Sequence, residues 1–399
     1  MLGSCITALS MGLGGCDAPP PGRYTPSDIA LLADQRAREA ANRGRGPYGR
    51  HVYAGYRGLA DLPWFGLDDS GLLKLTDPDV PYAIDVHSHL GMSVLFQPHL
   101  DLQATTPRVK HLLDCDRETP GCPLDLDVYI NGNFSEQDLD DLTMSTIAQA
   151  TWGSEFATTH TIPNLLREMD AMRVQQAILL PIQLGLPFGD NLTNDWLDAV
   201  NSSGVSQRLH VGFSVHPRAD DAIQRMRLEA ARGGRIIKLH PTVQRFYPDE
   251  LEPMDIYAEA EALGLVVFFH GGRAGIEPES SHRYAMPRHY EAALAEFPKL
   301  KFILGHAGAR DSEAMIDLAA RYDNAWLDTH GQSLTMLETM IRRSDGNRLL
   351  FGTDWPFYHL AASLAKVLIT TATPDRASLR RKILRENALA LFPGLWDRF

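Results

Sequence analysis

The feature that most constrains this chain is a rhythm that sets in near residue 80. Eight short apolar runs recur, at residues 81–87 (PYAIDVH), 176–182 (QAILLPI), 209–215 (LHVGFSV), 235–240 (RIIKLH), 265–270 (LVVFFH), 301–306 (KFILGH), 325–330 (AWLDTH) and 348–354 (RLLFGTD). Within most of them hydrophobicity is nearly continuous rather than alternating, which is the pattern of parallel strands covered on both faces. Apolar residues at helical spacing fill the gaps, over 162–173, 219–232, 253–263, 288–297, 312–322 and 334–343, and a terminal helix is predicted over 379–392. Eight strands interleaved with helices predict an α/β fold, a closed (β/α)8 barrel of the TIM type, rather than an open sheet. The chain's 399 residues suit one such unit with additions. Residues 23–79 read as an N-terminal extension with a helix over 26–43, and residues 80–399 as the barrel. Residues 91–161 break the rhythm and read as a long polar insertion after the first strand, irregular with short helices.

In a parallel barrel, functional side chains collect where strands end at their C-terminal side. The first run ends in DVHSH, the fourth in KLHP, the fifth in FFHGG, the sixth in GHAG, the seventh in DTHG and the eighth in GTDWP. Imidazoles and a carboxylate therefore converge on one rim. His87 and His89 are two apart, so in extended chain they face the same way and can share one cation. His270 follows five apolar residues; burying its ring without a partner is costly, and a metal or a firm hydrogen bond removes the cost. Asp354 closes the last run, where it either ligates a metal or takes a proton from water. His306 reads as a general acid/base or as the group that polarises the substrate. His240 shares a face with Lys238, and reads as a further ligand or a substrate contact; Lys238, if carboxylated, is a bridging ligand. Arg273 and Arg310 are candidates to clamp a substrate carboxylate. His330 with Asp328, and His282 with His289, are weaker candidates. His216 reads as a strand-end or loop histidine.

IDVHSHLG, IIKLHP, VFFHGG, ILGHAG and FGTDWPF occur in this order over about 80–395. Together they resemble the amidohydrolase-related branch of the amidohydrolase superfamily, which includes aminocarboxymuconate-semialdehyde decarboxylase-like enzymes. The resemblance implies that His87, His89, His270 and Asp354 bind one divalent metal, zinc or else manganese, with His306 as the catalytic histidine. It implies a small-molecule substrate that can carry a carboxylate, and it leaves a homodimer open. The first reading is a metal-dependent hydrolase of a C–O or C–N bond. The second is a non-oxidative decarboxylase of an aromatic or unsaturated acid. A third, of another class, is a catalytically inactive periplasmic binding protein on the same barrel. The insertion at 91–161 departs from the pattern, and loops after barrel strands shape the pocket.

The formal net charge of -12 argues against general nucleic-acid binding, which needs basic patches. Residues 1–15 are uncharged, small and apolar, and Leu13-Gly14-Gly15-Cys16 reads like the lipobox of a bacterial lipoprotein signal, although no Lys or Arg precedes it. The Pro-rich stretch that follows reads as a tether, so residues 1–22 predict attachment to a membrane through lipidated Cys16. The enzyme domain would then lie in the periplasm; the alternative is a cytoplasmic protein. Cys115 and Cys122 sit in a turn-rich loop where an oxidising compartment allows a short disulfide.

Overall fold

The computed structural model describes residues 23–96 and 100–396. The eight barrel strands are β1 (Ala83–Ser88), β2 (Val174–Leu179), β3 (Leu209–Val211, continued by Phe213–Ser214), β4 (Ile236–Leu239), β5 (Val266–Phe269), β6 (Lys301–Leu304), β7 (Ala325–Asp328) and β8 (Leu349–Leu350). All neighbours pair in parallel: β1 with β2, β2 with β3, and β3 through β8 in sequence order. The ring closes where Val86 N donates to Phe351 O at 3.0 Å and Ser88 bridges Trp355 in parallel. The (β/α)8 barrel read from the apolar runs is thus the fold.

Two apolar layers hold it. Ile84, Val86, Ile178, Ile236, Phe268 and Ile303 form an inner cluster that Leu391, Phe392 and Trp396 from the C-terminal segment join, sealing the barrel's lower end. The other strand face packs Leu179, Val267, Phe269 and Phe302 against helix residues such as Leu165, Trp196, Met315 and Leu337. Each large side chain buried this way stabilises the fold by roughly 1.5–3 kcal/mol.

The additions differ in part from the reading above. Helix α1 (Pro26–Asn42) forms as expected, opened by Thr25 and Asp28 in a reciprocal cap. The insertion, expected to be irregular with short helices, carries a longer one, the four-turn α2 (Glu136–Thr151), started by Ser135 and Asp138. Its sequence is polar enough to hide the period, and only Leu139, Leu142, Gln149 and Thr151 are buried. Helix α3 (Ile162–Ala171) leads into β2. Helices at Leu192–Ser202 and Leu360–Thr370 escape the sequence reading; every residue of the second is buried, so it has no polar face to set a period. The terminal helix is broken into Ala377–Arg381 and Asn387–Leu391 by a wider turn at Lys382–Glu386. Cys115 and Cys122 are joined in a disulfide with Cα atoms 5.0 Å apart.

Candidate metal centre and active site

Asp85 fixes the rim where β1 meets β8. Its carboxylate accepts from His87 N at 2.9 Å, Ser88 Oγ at 2.6 Å and Thr353 N at 3.1 Å. Burial pushes its pKa up to about 7 in spite of these bonds. The register of β1 shifts between Asp85 and Ser88, at the point where His87 and His89 leave the strand. Asp354 has φ 57° and His306 φ 54°, conformations that non-glycine residues seldom adopt and that cluster at functional sites. Asp354 is pinned by its N–H donating to His87 O at 2.7 Å.

Tautomers follow from the acceptors. His87 Nδ1 is 2.7 Å from Asp328 Oδ2, and His89 Nδ1 is 2.8 Å from Leu180 O. Each ring thus donates from Nδ1 and keeps a lone pair on Nε2. Those Nε2 atoms stand 3.4 Å and 3.1 Å from Asp354 Oδ1. Burial, aided by Lys238 and the neighbouring rings, holds His87 well below its ordinary pKa, so it is neutral near pH 7. Burial alone would raise the Asp354 carboxyl, but His89, His330 and Lys238 outweigh it and keep the group ionised. Two imidazole nitrogens and a carboxylate oxygen aimed at one point are the donors a divalent cation takes. The donor atoms of His87, His306 and Asp354 also lie within 4.8 Å of one another.

His270 stands one ring further out. Its Nδ1 is 3.1 Å from His306 Nε2, its Nε2 is 3.1 Å from Glu277 Oε1, and its ring stacks on His240 at 4.0 Å. Glu277 accepts three backbone N–H groups as well, and despite its burial His270 and these donors hold its pKa down to about 2. As an ionised acceptor it orders the chain: with neutral rings, His270 donates from Nε2 and His306 donates from Nε2 to His270 Nδ1. His306 Nδ1, buried and without a hydrogen-bond partner among the described residues, then carries a bare lone pair. Glu277 was not among the sequence candidates, because a glutamate seven residues past a strand-end histidine looks like any loop carboxylate.

His240 and Lys238 line the same cavity. Burial lowers the Lys238 amine to about 8, and its Nζ lies 4.6 Å from the centre of the Phe268 ring. His330 is fully buried with Nε2 3.7 Å from Asp354 Oδ2. The two arginines depart from expectation. Arg273 is fully buried and spends its guanidinium on Asp311, through Nε at 2.9 Å and Nη2 at 2.6 Å, and on the backbone carbonyl of Asp28. Arg310 pairs with Glu39 of α1 at 3.0 Å. Neither lines the cavity; both fasten the N-terminal extension to the barrel. His289 binds Asp249 at 2.9 Å, and His216 lies in a loop away from the cavity. Cys16 lies outside the described residues.

The model of the Amidohydrolase family matches residues 164–394, which span β2 to the C-terminal helices and hold His270, His306 and Asp354. The chain belongs to the amidohydrolase family. Among solved structures, an uncharacterized TIM-barrel protein from Bordetella bronchiseptica is similar at 22% identity and a TM-score of 0.50, covering 59% of this chain and 83% of its own. The 2,6-dihydroxybenzoate decarboxylase from Rhizobium matches at 19% identity and a TM-score of 0.47, over 58% of this chain and 87% of that one. A probable 2-pyrone-4,6-dicarboxylic acid hydrolase from Acinetobacter baumannii matches at 12% identity and 0.46, over 78% and 99%. No curated protein matches the sequence. For an amidohydrolase, a divalent-metal enzyme is the coarse reading that family and donor set together support.

Proposed function

We propose that this amidohydrolase is a metal-dependent hydrolase that cleaves a C–O or C–N bond next to a carbonyl in a neutral small organic substrate. The observation that carries the reading is the placement of charge. Among the described residues that line the cavity, Lys238 is the one cation besides the imidazoles, and Arg273 and Arg310 are committed to Asp311 and Glu39. A site built to hold a second carboxylate would want a free bidentate guanidinium.

His87, His89 and Asp354 would hold the ion, zinc in the first instance and manganese in the second; His270, whose ring nitrogens are engaged by His306 and Glu277, would join as the fourth protein donor only by giving up its bond to His306. A divalent cation there supplies Lewis acidity and lets water act as a nucleophile near neutral pH. His306 Nδ1 takes the proton of the attacking water as its oxygen bonds to the carbonyl carbon. The same nitrogen returns the proton to the leaving oxygen or nitrogen as that bond breaks, giving an acid and an alcohol or amine. Lys238, on the cavity floor, offers a cationic donor to the carbonyl oxygen while negative charge builds there. The competing carboxy-lyase reading uses the same lysine, which would meet the carboxylate that is to leave.

Metal-reconstituted protein should hydrolyse members of a lactone, ester and amide panel. Release of CO2 from carboxylated phenols, with no turnover of that panel, would overturn the assignment.

A further inference from the structure

The imidazoles, Lys238 and Asp354 gather around the metal donors, and the walls beside them are mainly apolar, with Thr143, Thr146 and Gln149 of α2 as polar interruptions. Helix α2 of the insertion turns Leu142, Thr146, Ile147 and Ala150 into the cavity, positions spaced so that they form one helical face. The lining is completed by Met92 and Leu184 from loops that follow β1 and β2, Phe357 after β8, and Ile276 from the loop after β5, whose carbonyl accepts from Thr143 Oγ1 of α2 at 2.7 Å. Among the described lining residues, the one charged side chain in these loops besides Asp354 is Glu277, which is turned to His270. Beyond Ala150, the last residue of α2 to line the cavity, large apolar side chains are exposed. Phe96 is 65% exposed, Trp152 62% and Phe188 56%. Phe96 N donates to Thr151 O at 3.3 Å, and the Phe96 and Phe188 rings lie 6.3 Å apart, so the three residues gather beside the C-terminal end of α2. Aromatic side chains left in water beside an apolar cavity mark a place where an apolar ligand passes or rests.

We propose that the site takes a substrate bearing an extended alkyl or acyl chain, and that the cavity-facing side of α2 reads the length of that chain, with Ile147 and Ala150 as its specificity-determining residues. The inference rests on the hydrolase reading only for the bond that breaks. Recognition of the chain is a separate matter, because a straight apolar chain gains by leaving water whichever reaction follows.

The test uses the full, metal-loaded chain and two homologous series: straight-chain primary alcohols from butanol to decanol, measured by calorimetry, and 4-nitrophenyl esters from acetate to decanoate, measured by turnover. Alcohol affinity should rise about fourfold per added methylene, as expected from about 0.8 kcal/mol for each buried CH2. Ile147→Asn should flatten that rise to less than about twofold. Ala150→Phe fills the wall and should move the longest chain gaining affinity to a shorter homologue, and it stays informative if Ile147→Asn does not fold. A flat alcohol series in the native protein overturns the inference, as does an unchanged slope and unchanged preferred length in every folded variant. A steep alcohol series with no ester cleaved upholds chain reading and overturns only the ester form of the hydrolase assignment.

Discussion

Asp328 accepts from His87 Nδ1 at 2.7 Å, from His306 N at 3.1 Å and from His330 N at 2.9 Å, so one carboxylate orients three rim histidines. Gly352 leaves it room, since a Cβ there would sit 2.2 Å from Asp328 Oδ1. Asp328→Asn keeps the shape but can present an amide N–H to His87 Nδ1. That favours the tautomer with its proton on Nε2, the atom meant for the metal. Metal affinity should fall 10- to 100-fold, as when outer partners of ligating histidines are replaced; titration of the apoprotein with zinc checks it, and an unchanged affinity would remove Asp328 from the site. Arg273 shows the reverse case, a residue whose spacing from His270 suggested a substrate role and whose partners make it structural. Arg273→Met strands Asp311 as a buried unpaired carboxylate and should cost about 3–5 kcal/mol of stability. Denaturant unfolding would read that loss, with the substrate KM of the folded fraction unmoved.

The insertion is held to the barrel by a second cluster built from three elements. His111, in the insertion, places Nε2 3.3 Å from Glu168 Oε1 on α3 and Nδ1 3.2 Å from Pro356 O; Glu168 also accepts from Trp355 Nε1 at 3.0 Å. Burial works against the charge on both partners, yet their mutual attraction wins. Glu168 is lowered to about 2 and His111 is raised above 6.5. The Glu168 contribution is present above its ordinary value of 4.5 and is lost as pH falls toward 2. The His111 contribution is present below 6.5 and is lost as pH rises through its elevated folded value. The pair therefore stabilises most between about 4.5 and 6.5. Glu168→Gln should lower stability by about 3–5 kcal/mol in that window and by less at pH 8–9, as calorimetry across pH would show. An equal loss at every pH would mean that packing, not charge, holds the insertion. The strands were legible because each is a continuous apolar run closed by a chemistry-bearing residue. Helix α2 was not, since its apolar face is narrow, and neither was the wall it makes: Leu142, Ile147 and Ala150 declare a role only when β1, β2 and β5 bring their loops to the same cavity. The same limit hid the tautomer chain from Glu277 to His306, because the hydrogen-bond partners of a ring nitrogen come from distant segments and leave no local spacing.

For the molecule as a whole, the rim that carries the site is also where the described chain begins. Arg23 lies 3.6 Å from Asp249 and 3.7 Å from Glu250, with its guanidinium 4.3 Å from the centre of the Tyr247 ring, on the loop after β4. Asp28, at the start of α1, pairs with Arg288 at 2.8 Å, in the segment after β5. The N-terminal extension is thus fastened beside the cavity mouth rather than at the sealed lower end. If Cys16 carries lipid, the seven residues to Arg23 span at most about 25 Å fully extended. A diacylated anchor would then keep Arg23, and the loop after β4 that it binds, within about that distance of a bilayer. Apolar substrates concentrate in membranes, so such tethering would raise their supply to the cavity without any change in its walls. The full-length protein expressed with a lipoprotein-processing machinery should partition into the detergent phase of a cloud-point extraction, and Cys16→Ala should move it to the aqueous phase with its folded stability unchanged. Hydrolysis of a long-chain ester presented in vesicles should fall in that variant, while hydrolysis of a soluble short-chain ester should not. Equal partitioning of both proteins would remove the anchor, and the chain-reading wall would then have to draw its substrate from solution.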